Sequence, residues 1–97
     1  MKKLIIGADT YDIEHIKGLS AYGYLLPSKK KIQISADIPA RDKRITELHE
    51  AIHAVCASYG LRCEVEELVV RALEVGITRM FIDNPSWTKQ FIKALDA

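Results

Sequence analysis

Ninety-seven residues, 48% of them apolar and 28% charged, suit one soluble globular domain with a single core and leave no room for a second. The net charge of +1 makes no electrostatic case for nucleic acid or an anionic membrane as a partner. Two cysteines, Cys56 and Cys63, fall short of a disulfide framework, so a reducing cytoplasm is the expected compartment. The apolar run after Lys2 and Lys3 is too short for a signal-peptide core, and no stretch is long enough to span a bilayer.

In chain order, the first forty residues carry strand patterns and the remainder helical ones, with no linker or repeat between them. A single α+β domain spanning residues 1–97 is predicted, its β part over about residues 1–39 and its helical part over about 40–97. Residues 3–6 form an apolar run closed by Gly7-Ala8-Asp9, a strand followed by a turn. Residues 22–26 and 31–38 are two further strands, joined across Pro27-Ser28-Lys29-Lys30. In the latter, Ile32, Ile34, Ala36 and Ile38 alternate with Lys31, Gln33, Ser35 and Asp37, the period of a strand with one buried face. Together these runs predict a small antiparallel sheet of about three strands. Lys29, Lys30 and Lys31 read as a solvated turn that discourages edge pairing.

A helix is predicted over residues 41–59, ended by Gly60. Ile45, Leu48, Ile52, Val55 and Tyr59 make a core-facing stripe at helical spacing, and His49, His53 and Cys56 a neighbouring stripe about a quarter turn away. A second helix is predicted over residues 65–82, before the breaker Asp83-Asn84-Pro85. Val69, Leu73, Gly76, Ile77 and Met80 lie on its expected buried face, with Gly76 permitting close approach of a neighbour. Ser86 then caps a short amphipathic tail carrying Trp87, Phe91, Ile92 and Leu95, which reads as core cover.

The first helix contains His49-Glu50-Ala51-Ile52-His53, an HExxH sequence. Residues four apart share a helix face, so both imidazoles can reach one metal ion. Glu50 is placed to hold and deprotonate a water at an open coordination position. The competing reading is a chance match between two surface histidines. A catalytic zinc site needs a third protein ligand, and Glu64, Glu66, Glu67, Cys56 and Cys63 are the candidates; His15 lies in the β half and reads as a surface residue. Extending the stripe of Leu73 and Val69 backward points to Glu66, whereas Glu67 falls with Arg71, Glu74 and Thr78 on a polar face. A carboxylate on an apolar stripe is costly unless it is paired or bound to metal. Glu66 is therefore the expected ligand and Glu67 the fallback. The bland alternative is that all three glutamates merely favour the helix N-terminal dipole. A closed site of His49, His53, Cys56 and Cys63 is a further alternative, but it leaves Glu50 without a purpose, and a packed buried thiol is the preferred reading of Cys56.

The run from Thr46 to Val55 resembles the active-site helix of zincin metallopeptidases, and Glu66-Glu67-Leu68-Val69-Val70-Arg71-Ala72-Leu73 resembles the downstream glutamate helix of the gluzincin branch. The layout over about residues 20–86 is similar to small phage and prophage metallopeptidase-like proteins related to the ImmA/IrrE group. In that pattern the ligand glutamate is followed by small or apolar residues at i+3 and i+7, here Val69 and Leu73 after Glu66; its asparagine at i+4 is Val70 in this chain. The resemblance implies zinc held by His49, His53 and Glu66, with Glu50 taking the water proton and passing it to the leaving amine. It further implies a protein or peptide substrate added alongside the sheet edge, for which residues 31–38 are the candidate strand. Tyr22, Tyr24 and Tyr59 are candidate oxyanion donors among which the sequence does not choose.

The reading is a narrow-specificity zinc endopeptidase acting in phage or prophage regulation. The first alternative is a zinc-stabilised interaction module that hydrolyses nothing. A nucleic-acid-associated role is disfavoured by the absence of a basic stripe with interleaved aromatics. The exposed edge strand leaves homodimerisation open.

Overall fold

β1 (Lys2–Ile6) turns at Gly7, φ 60°, into β2 (Asp9–Ile16), and the two pair antiparallel from Lys2↔Ile13 to Ile6↔Asp9. The computed structural model describes residues 2–60 and 66–96. Over these the chain is α+β, a four-stranded mixed sheet followed by three helices. β3 (Gly23–Leu26) and β4 (Lys31–Ser35) are joined by a short 3₁₀ turn over Pro27–Lys29 and pair antiparallel, the hairpin expected from the sequence.

Two features of the sheet depart from expectation. β2 was not foreseen, although Tyr11 and Ile13, both buried, alternate with Thr10, Asp12 and Glu14, the period of a strand. The sheet is also mixed: β4 runs parallel to β2, from Asp12↔Lys31 to Ile16↔Ser35, giving the order β1-β2-β4-β3. β4 is therefore an inner strand, and Ile38 lies beyond its end. The strand expected to receive a peptide is hydrogen-bonded on both sides, and the edge beside the helices is β3.

The core is Ile6, Tyr11, Ile13, Ile32 and Ile34 from the sheet with Ala54 from α1 (Ala40–Ser58), flanked by Leu4, Leu25, Ile38 and Ala51. Bulky sheet residues meet small helix residues, so α1 lies close to the strands. This reverses the expected orientation of α1. Its buried residues are Thr46, Glu50, Ala54 and Cys56, while Val55 is 43% and Tyr59 74% exposed. β3 and α1 approach closely at Gly23: a Cβ there would sit 2.7 Å from Thr46 Cγ2 and 3.0 Å from the Gln33 carbonyl oxygen. Only glycine lets β3 pass this near to the helix. α1 ends at Ser58 with Tyr59 as its C-cap, and Gly60 follows at φ 77°, the left-handed position that glycine takes after a helix.

α2 (Glu66–Asp83) packs against α1 and buries Val70 completely. The expected buried stripe of Leu73, Gly76 and Met80 is exposed instead, with Val69 and Ile77 half-buried. α3 (Pro85–Leu95) follows after one residue, with Asn84 rather than Ser86 at its N-cap and Pro85 at the first helical position, where the missing N–H costs nothing. Among the described residues, no helix is long and apolar enough to cross a membrane.

Candidate metal centre

α1 and α2 run antiparallel, so later residues of α1 face earlier residues of α2: His53 meets Glu66 and Glu67, and His49 meets Glu67 and Glu74. The two imidazoles lie one helical turn apart, with ring centroids 5.1 Å from each other. His49, Glu50 and His53 each present a ligand atom, and these atoms all lie within 4.8 Å of one another. The helical spacing read from the sequence thus brings the three side chains of the HExxH sequence to one place.

The carboxylates divide between the two sides of the rings. The Nε2 atoms of both histidines face Glu67, with His49 Nε2 3.2 Å from Oε1 and His53 Nε2 2.8 Å from Oε2. On the other side, His53 Nδ1 lies 2.7 Å from Glu66 Oε2 and His49 Nδ1 3.4 Å from Glu74 Oε1. Arg71, one turn after Glu67, donates from Nε to Glu67 Oε1 at 3.2 Å. A carboxylate behind a metal-binding imidazole fixes its tautomer and ring orientation and raises its basicity. Glu66 and Glu74 stand behind the rings in this way, while Glu67 stands in front of both.

The donor set, two imidazole nitrogens converging on one carboxylate, fits the composition of a catalytic zinc site. The sequence sets Glu67 with Arg71 and Glu74 on a polar face, with Glu66 the expected ligand and Glu67 the fallback; in the structure both glutamates face His53. α2 presents to α1 a band that includes Glu66, Glu67, Val70 and Glu74, because it packs about Val70 rather than about Leu73.

Glu50 is buried. Burial raises its carboxyl pKa above 4.5; the attraction of His49 and His53 opposes this and the repulsion of Glu67 adds to it. For His53, burial alone lowers the pKa, but hydrogen bonds to Glu66 and Glu67 outweigh it, so the ring is held above 6.5. For Glu67, desolvation is the largest single effect and raises the pKa, but the hydrogen bond to His53, the nearby imidazoles and Arg71 together bring it below 4.5. The charges in this cleft are thus mutually adjusted, as is common at functional sites.

The cleft runs along the edge strand. One side is lined by Gly23, Tyr24, Leu25 and Pro27 with Glu50, His53 and Glu66; the other by Tyr22 and Gly23 with His49, Glu50, Glu67 and Arg71. The Ser35 N–H donates to the Tyr22 carbonyl at 2.7 Å. In an antiparallel pair, hydrogen-bonded positions alternate, so Tyr24 is bonded inward to Gln33 and the backbone polar groups of Gly23 and Leu25 face outward beside the cleft.

Comparison with protein-family models, curated proteins and solved structures finds no match.

Of the remaining sequence candidates, Tyr22 and Tyr24 line the cleft, whereas Tyr59 borders Gly7. Tyr24 Oη is engaged with Ser20 Oγ at 2.6 Å, which leaves Tyr22 the more available hydroxyl. His15 faces Glu47 at 3.8 Å. Cys56 is buried, while Cys63, Glu64 and Val65 lie outside the described residues. Glu74 and Arg71 were assigned only to a polar face. The signal that marks them is spacing: Glu67, Arg71 and Glu74 recur at i, i+4 and i+7, one face of the helix that follows the histidine helix.

Proposed function

We propose that this chain is a zinc-dependent metallopeptidase in which His49, His53 and Glu67 hold the metal and Glu50 is the general base. One observation carries the reading: both imidazoles turn Nε2 toward a single carboxylate while carboxylates stand behind both Nδ1 atoms. Two helix-surface histidines matched by chance have no reason to be held on both sides in this way.

Zinc, when bound, supplies a Lewis acid for the scissile carbonyl and brings the pKa of water toward neutrality. Glu66 and Glu74 accept from the Nδ1–H groups and so keep both Nε2 lone pairs available. Arg71 restrains Glu67. Glu50, with its pKa raised by burial, accepts the proton of the attacking water and donates it to the leaving amine, a task favoured when the pKa lies nearer the working pH. A peptide pairs with the outward-facing backbone of Gly23 and Leu25, adding a strand to β3. Its scissile bond then lies beside Glu50 and the two histidines. Tyr22 is the nearest candidate donor to the developing oxyanion.

The test is elemental analysis of untagged protein together with hydrolysis of an unfolded protein substrate. About one zinc per chain, lost in His49→Ala and Glu67→Ala, is expected. Glu50→Gln should keep the zinc and lose hydrolysis by several orders of magnitude. Zinc retained in Glu67→Ala removes the ligand assignment. Zinc bound with no hydrolysis by the wild type selects a zinc-stabilised interaction module, a reading favoured by the extensive apolar surface left on α2 and α3.

A further inference from the structure

Away from the metal centre, α2 and α3 leave an unusual amount of apolar surface in water. Leu68, Val75 and Ile82 recur every seventh residue on the side of α2 opposite Val70, and each is exposed, Leu68 to 69%. A helix apolar on both sides is normally buried on both sides. α3 is more extreme: Trp87, Phe91, Ile92 and Leu95 are all exposed, and its packing is chiefly against α2. An eleven-residue helix is marginal in water without a surface to pack on.

The same chain carries a matching groove. Ile45 and Leu48 of α1 and Thr78, Phe81 and Ile82 of α2 line an apolar trough, rimmed by Arg41 and Arg44. The chain's own α3 cannot fill it. Only Asn84 separates Asp83 from Pro85, and an antiparallel helical hairpin needs about two to five linking residues. α3 therefore leads away from the groove beside its start. An unfilled groove and an unpacked helix on one chain, joined by a link too short to bring them together, are the ingredients of reciprocal exchange between identical copies.

The overall dimensions agree. The accessible surface is 6851 Å², where a compact chain of 10.9 kDa exposes about 5,600 Å². The excess, about 1,300 Å², exceeds the roughly 800 Å² per partner of a standard interface. The radius of gyration is 14.1 Å, against about 12.5 Å for a compact domain of this length. Charge does not oppose pairing, since each copy carries a net charge of +1. Lys89 and Lys93 lie on the side of α3 away from Trp87 and Phe91, where they remain in water.

We propose that the chain forms a two-fold dimer in which α3 of each copy lies in the α1–α2 groove of the other. The proposal does not depend on the metallopeptidase reading. It is tested by sedimentation velocity over a concentration series, with native mass spectrometry of mixtures. The wild type should sediment at twice its 10.9 kDa mass. Phe91→Glu, which removes the helix anchor, and Ile82→Glu, which places a charge in the groove, should each raise the dissociation constant at least thirtyfold, roughly the effect of losing a buried anchor. Both positions are exposed within one copy, so the variants keep their fold, verified by circular dichroism. Mixing the two variants should yield heterodimers, because the intact helix of one meets the intact groove of the other. A wild type that stays monomeric at the highest concentration reached overturns the proposal, as does a dimer indifferent to Phe91→Glu. Binding of monomers to phospholipid vesicles through α3 would overturn it too. Variants that are monomeric alone and form no heterodimer would rule out the reciprocal arrangement.

Discussion

Three glutamates surround two imidazoles, and each should respond differently when its charge is removed. Glu67 faces both Nε2 atoms, so Glu67→Gln should weaken zinc binding more than any other single glutamate change. Glu66→Gln and Glu74→Gln remove the carboxylates behind the rings, and each should cost about 10–100-fold in zinc affinity. Competition against a chelating dye measures all three, and a larger loss for Glu66→Gln than for Glu67→Gln would return the ligand role to Glu66. The metal-free protein should show a defined pH dependence. The His53 pKa is raised above 6.5, so its contacts with Glu66 and Glu67 stabilise the fold fully below that value and lose this contribution as pH rises through the folded pKa. The Glu67 pKa is lowered from 4.5, so its contribution is present above that value and is lost as pH falls through the folded pKa. The interaction is strongest between these limits and modest in size, because Glu67 is half exposed. The urea midpoint of metal-free protein, compared with His53→Gln, should therefore show the wild-type advantage shrinking from about pH 6 to about pH 8. An advantage that grows over this range would contradict the charge assignment. At this scale HExxH was legible because it is local. The separate positions of Glu66, Glu67 and Glu74 around the rings were not, because they depend on how α2 is rotated about its axis, and α2 packs on α1 with Val70 buried.

At the scale of elements, the cleft exists because β3 lies close to α1. Gly23 makes that approach, and Gly23→Ala would bring a Cβ to 2.7 Å from Thr46 Cγ2. The strand has to move outward, at a cost of about 1–3 kcal/mol, and the cleft widens with it. Chemical denaturation should show this loss, and metal-loaded Gly23→Ala should hydrolyse more slowly than wild type; an unchanged midpoint would mean that the strand yields freely. Ile34, fully buried on β4 and paired with Gly23, is the counterpart in the core. Ile34→Ala should cost about 2–5 kcal/mol, a large fraction of the roughly 5–15 kcal/mol available to a domain. The β3–β4 hairpin was legible from alternation and from Pro27. β2 was overlooked because its polar residues Asp12, Glu14 and His15 mask a short apolar alternation. Its parallel pairing with β4 could not be read at all, since strand order depends on contacts distant in sequence.

At the scale of the molecule, a small core carries a helical arm. The buried apolar residues are concentrated between the sheet and α1, whereas α2 contributes Val70 alone and α3 contributes none. Stability should therefore rise with protein concentration if copies pair through α2 and α3. Wild-type melting temperature should increase with protein concentration while that of Phe91→Glu should not, a thermal counterpart to the sedimentation test. Zinc should act independently, raising the melting temperature of both proteins.

The sequence by itself determined what depends on local spacing: an α+β chain, a glycine-terminated helix, a breaker at Asp83-Asn84-Pro85, and two histidines one turn apart with Glu50 between them. Those features follow from helix and strand periods and from the conformational limits of glycine and proline. Tertiary structure decided which face of each helix is buried, which strand forms the edge, and which glutamate stands before the imidazoles. The physical reason is the same in each case. Several faces of α1 and α2 are comparably apolar, so periodicity leaves their rotation open, and close packing of Gly23 on Thr46, of Ala54 on the sheet isoleucines and of α2 on α1 with Val70 buried selects one.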